Sequence, residues 1–180
     1  MIKSFDEFLF EAKSVGNIYH FMDIFSLHDM TENYSNEVPK LNFSADDFFD
    51  RKDTFFISTT RKFDFKWNAI RLTLDGNKIS ENYKIVPVSY FSKKPNEVNQ
   101  EEDQFEERII TKRKSDVIDL KKYCKRVDIC TDPNFDFYGE DEDGEGDNIG
   151  SKMDEVETAM NYFRELGIPA AIVEKFKPTK

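Results

Sequence analysis

A chain of 180 residues is long enough for one ordinary domain with its own core. Hydrophobic residues make up 38 % of it, and 18 phenylalanines predict an aromatic-rich interior. The formal charge of −10 is concentrated in seven acids (Asp136, Glu140, Asp141, Glu142, Asp143, Glu145 and Asp147), so the remainder carries only about −3; with no basic stripe to neutralise successive phosphates, a nucleic-acid-binding surface of the usual kind is excluded.

Residues 1–13, MIKSFDEFLFEAK, place Ile2, Phe5, Phe8, Leu9 and Ala12 at helical spacing, with most charges on the other side. Ser14 to Asn17 break that pattern, so the expected helix is separable from the body of the chain. The stretch lacks the apolar run and small-residue site of a secretory signal, and no window of about 18 apolar residues suggests a membrane span.

Gly16 to Phe21 reads as a strand carrying Tyr19 and His20, and Asp23 to Met30 as a short helix. Residues 31–53 are mixed and polar. Thr54 to Thr60 is β-branched and aromatic, as a buried strand requires. Ala69 to Leu74 alternates Ile70, Leu72 and Leu74 against Arg71 and Thr73, and Asp75-Gly76 is expected to end it as a turn. Lys84 to Tyr90 contains Pro87, which predicts an edge or irregular extended segment. Phe105 to Thr111 is ambiguous between helix and strand, Asp116 to Cys124 looks helical, and Arg126 to Cys130 looks like a strand.

The acidic loop 131–150 has a composition that buries little. It fails as a calcium loop, because with Asp141, Asp143 and Glu145 at the first, third and fifth positions the twelfth is Lys152. Cys124 and Cys130 with two distant histidines make neither a disulfide framework nor a zinc site, so two reduced cytosolic thiols and no metal are expected. Ser151 to Asp154 opens a helix whose apolar face is Met153, Val156, Met160, Phe163 and Leu166; Gly167 and Pro169 end it, and Pro169 to Phe176 returns as a strand. Strands in the middle and helices at the ends predict an α+β domain over 12–180.

Three features occur in order: Tyr19-His20, Ser58-Thr59-Thr60-Arg61, and Gln104-Phe105-Glu106-Glu107-Arg108. That order resembles the ADP-ribosyltransferase fold, and STTR, LTLDGNKISENYKIVPVSY and FEERI together resemble phage-encoded proteins of that type over about residues 17–130. The resemblance implies an ADP-ribosyltransferase-like mixed β core and NAD as substrate. It also implies Glu106 as the catalytic carboxylate, with neighbouring Glu107 as the other candidate, and His20 and Ser58 beside it. Tyr19, His20, Ser58, Thr59, Arg61 and Tyr83 would contact NAD; Tyr83, Tyr90 or Phe91 would stack on nicotinamide; and Gln104 would select the target. Taken singly, each feature has a plainer reading: a packed histidine, strand threonines, a solvated acidic face with surface ion pairs.

Leu9-Phe10-Glu11 before Ala12 resembles the propeptide ends of internal head proteins in T-even phages. The resemblance implies packaging into the capsid interior, cutting by the head-maturation protease between Glu11 and Ala12, and release into the host cytoplasm with the DNA. Such a protein would be an injected enzyme that modifies a host protein or nucleic acid. The competing expectation is a non-catalytic internal protein that inhibits a host defence or restriction enzyme, with the 131–150 loop as a decoy for a basic surface.

Overall fold

The computed structural model describes residues 15–24, 26, 27, 30, 38–45, 54–65, 68–87, 106–132 and 153–179. Its frame is an eight-stranded sheet in the order β10-β9-β5-β1-β4-β7-β6, with β3 also paired to β4. These strands are β1 (Asn17–Met22), β3 (Ser44–Ala45), β4 (Phe55–Thr60), β5 (Ile70–Asp75), β6 (Lys84–Pro87), β7 (Glu106–Thr111), β9 (Cys124–Cys130) and β10 (Ala170–Val173). A separate two-stranded ladder joins β2 (Lys40–Asn42) to β8 (Val117–Asp119). The architecture is mixed α and β, dominated by the sheet.

Strand β1 runs antiparallel to β5 over its full length, from Asn17↔Asp75 to Met22↔Ile70. Its other neighbour, β4, it meets only at Tyr19↔Thr60. The same side of β4 pairs with β3 at Phe55 and Phe56, while β7 pairs antiparallel with β4 from Phe55↔Thr111 to Thr60↔Glu106. The middle of β4 therefore has a full ladder on the β7 side and a gap between β1 and β3 on the other. An edge position for the Pro87 strand is borne out, since β6 ends the sheet order and Pro can be accommodated where a ladder donor is dispensable.

All six residues of β5 are buried, so Arg71 and Thr73, which alternate with the apolar residues, are covered as fully as they are. One face carries Ile70, Leu72 and Leu74 into the main core with Ile18, Ile109, Val127 and Ile129. The opposite face is covered as well, by a second cluster of Tyr19, Phe21, Phe65, Cys130 and Phe176. Strand β10 stops at Val173, short of the expected Phe176, and the chain then turns across this second face, setting the Phe176 ring 5.5 Å from Phe21 in an edge arrangement.

Helical residues Ile24, Ser26, Leu27 and Met30 come after β1, as expected. Asp75-Gly76 is not a simple turn: Asp75 caps helix α1 (Gly76–Ser80) by accepting from the Lys78 N–H at 3.3 Å. The expected 116–124 helix is likewise divided into β8 and the single turn α2 (Leu120–Tyr123), because Lys40 to Asn42 supply a strand partner for Val117 to Asp119. Helix α3 (Met153–Glu165) places Val156, Ala159, Met160 and Phe163 in the main core. It ends with Gly167 at φ 80, where Ile168 N–H reaches Phe163 O and Gly167 N–H reaches Arg164 O, both at 2.9 Å. That double closure satisfies the last carbonyls and turns the chain into β10, parallel to β9.

Candidate functional site

His20 stands at the gap beside β4. Because β1 diverges from β4 after Tyr19↔Thr60, the Ser58 carbonyl has no strand partner there, and His20 Nδ1 lies 2.7 Å from it. A carbonyl only accepts, so Nδ1 carries the proton and, in the neutral ring, Nε2 keeps its lone pair for a ligand donor. Burial lowers the His20 pKa below its ordinary value, opposed by the Ser58 carbonyl. The neutral ring is thereby favoured.

Register and pleat bring Ser58 and Glu106 together. Ser58 stands opposite Arg108, and Glu106 two residues earlier shares that face of the β4–β7 ladder. The Ser58 hydroxyl donates to Glu106 Oε1 at 2.5 Å, and Arg108 Nε donates to the same oxygen at 3.0 Å. Neither bond engages Oε2. The Arg108 guanidinium lies 4.0 Å from the Phe56 ring centroid, so it is itself held by a flat partner. His20, Ser58 and Glu106, separated by 38 and 48 residues along the chain, thus form one connected group.

Alternation separates the two glutamates. Glu107 points to the opposite side of β7, where both its oxygens accept from Arg61 Nε, at 2.8 and 2.9 Å. Thr59 donates to the Glu107 carbonyl. Thr59 and Arg61 therefore support Glu107 rather than the Ser58–Glu106 pair. Tyr19 is also not brought to His20: it projects from the other face of β1, with the Arg71 guanidinium 4.9 Å from its ring. Tyr83 precedes β6 at the Thr111 end of β7, remote from Glu106; its ring stacks on Phe43 at 5.4 Å and its hydroxyl donates to Val117 O. Glu11, Ala12, Tyr90, Phe91, Gln104 and all of the acidic loop beyond Asp132 lie outside the described residues.

A cavity of about 500 Å³ opens beside His20, lined among others by Asp23, Ser26, Asn42, Ser44 and Asn68. These polar groups were not legible as a set, because they come from three separate segments. Arg108 was also missed; a strand reading of Phe105 to Thr111 would have found it, since a residue two positions from Glu106 on a strand shares its face. Burial pushes the Cys124 thiol up to about 12, which disfavours the thiolate that a nucleophile needs. Among the described residues there is no helix long and apolar enough to cross a membrane, and no group of three or more metal-ligating side chains. Compared with known proteins, the chain matches no family model, no curated protein and no solved structure.

Proposed function

We propose that this protein is an NAD-dependent ADP-ribosyltransferase, packaged in a phage head and delivered with the DNA to modify a host macromolecule. The observation that carries the reading is the hydrogen-bonded group His20–Ser58–Glu106, assembled from three strands at a gap in the sheet. Cleaving nicotinamide from ribose leaves positive charge on the sugar, and a carboxylate fixed beside it stabilises that charge without reorganising. Ser58 and Arg108 hold Glu106 by one oxygen, so Oε2 is the atom for the ribose hydroxyls. His20 Nε2 accepts from a second ribose hydroxyl, while the notch and its polar cavity take the rest of the dinucleotide.

The test is transfer of label from NAD to a target in bacterial lysate by the chain beginning at Ala12. Glu106→Gln is expected to lower labelling by roughly a hundredfold or more, as loss of an electrostatic group at the reacting centre does. Glu107→Gln is expected to retain most of it, because Glu107 faces Arg61. Equal labelling by wild type and Glu106→Gln overturns the site. Mass spectrometry of virions tests the delivery: a chain beginning at Ala12 supports it, and a chain intact through Glu11-Ala12 overturns it.

A further inference from the structure

We propose that the cavity between β5, β9, β10 and the C-terminal segment 174–179 binds a phosphate-bearing small molecule, at a site separate from Glu106. The cavity measures about 810 Å³ and is lined by Arg71, Arg126, Lys175 and Lys177 together with Asp128 and Glu174. That volume is in the range of small-molecule sites. Four cations against two carboxylates make it locally positive in a chain whose net charge is −10.

Asp128 is already shared, accepting from Arg71 NH2 at 2.7 Å and Arg126 Nε at 2.5 Å, so its charge is spent on the two arginines. Lys175 and Lys177 are exposed and make no ion pair among the described residues. An oxyanion entering the cavity therefore meets two unengaged ammonium groups and the open side of a half-exposed guanidinium.

Arg71 is the second, independent sign. Its side chain is 2 % exposed, and its guanidinium is clamped between the Tyr19 and Phe176 rings at 4.9 and 4.7 Å. NH1 donates to Phe63 O and NH2 to Asp128, yet Nε has no acceptor. A buried donor left unsatisfied is destabilising, and the two rings prevent the guanidinium from swinging to water. A ligand oxygen supplies what the fold withholds. The site is distinct from the one above because none of His20, Ser58, Glu106 and Arg108 lines this cavity.

Calorimetric titration of the full chain with inorganic phosphate, pyrophosphate and AMP, each against sodium chloride of equal ionic strength, tests the proposal. Binding of at least one is expected, weakened about tenfold or more in the double variant Lys175→Ala/Lys177→Ala, since each lost charge-assisted contact is worth at least that factor. Glu174→Gln is expected to tighten it, and Glu106→Gln to leave it unchanged. AMP binding more tightly than pyrophosphate supports a nucleotide, and the reverse supports an inorganic anion. The proposal is overturned if none of the three binds beyond the chloride control, or if the lysine variant binds as wild type. Preference for a single-stranded oligonucleotide over all three also overturns it, by making the site a nucleic-acid contact. Because Glu106→Gln separates the two sites, failure here leaves the transferase reading standing, and the converse holds.

Discussion

His20 couples the site to pH through a single ring. Its pKa is lowered from 6.5 in the folded chain, by desolvation first, with the Ser58 carbonyl acting in the other direction. Below about pH 6.5 the unfolded ring takes up a proton that the folded ring resists, so the unfolded state binds more protons and stability falls as pH falls. The loss begins at the unfolded value and levels off once pH passes below the folded one. Urea midpoints measured from about pH 7.5 to 5.5 should therefore drop for wild type more than for His20→Gln, whose amide still donates to Ser58 O but does not titrate. Parallel curves for the two proteins would show that the ring is not desolvated. At the same scale, Glu106 and Glu107 show how one residue of offset decides a role: the pleat sends the first to Ser58 and Arg108 and the second to Arg61.

At the level of elements, helix α3 is held by its apolar stripe. Phe163 is wholly buried, and Phe163→Ala is expected to cost about 3–5 kcal/mol in urea denaturation, whereas Glu157→Ala on the exposed side should change stability by less than about 0.5 kcal/mol. This helix was legible because its period, its start and its Gly167 stop are local signals. The strand positions of His20 and Ser58 were legible in the same way, whereas Glu106 lies in a segment that reads as helix or strand and is fixed as strand by its pairing with β4. The split of 116–124 was not legible, since β8 exists only through Lys40 to Asn42, far away in sequence. The burial of Arg71 was not legible for a related reason. Alternation along β5 says nothing of what covers its polar side, which is buried by Phe65 and by residues distant in sequence such as Phe176. The resemblance likewise assigned Tyr19 and His20 to one ligand, although strand neighbours point apart; the site needed the faces as well as the order.

For the whole molecule, the question is where the fold begins. Strand β1 is interior to the sheet and carries His20, so its anchoring decides whether an N-terminal peptide can be removed without loss. Among the described residues that anchoring starts at Val15: Arg61 NH1 donates to Val15 O at 3.2 Å, Gly76 N–H to Gly16 O at 2.9 Å, and Gly16 N–H to the Asn77 side chain at 3.0 Å. Gly76 is fitted to this approach, since a Cβ there would lie 2.7 Å from both Gly16 O and Val15 Cγ1. A chain beginning at Ala12 keeps every one of these contacts. Its urea midpoint and its NAD labelling are expected to match those of the full chain, with stability within about 0.5 kcal/mol. A loss above about 1 kcal/mol would mean that the first eleven residues contribute to the fold, which counts against a peptide made to be discarded by a maturation protease.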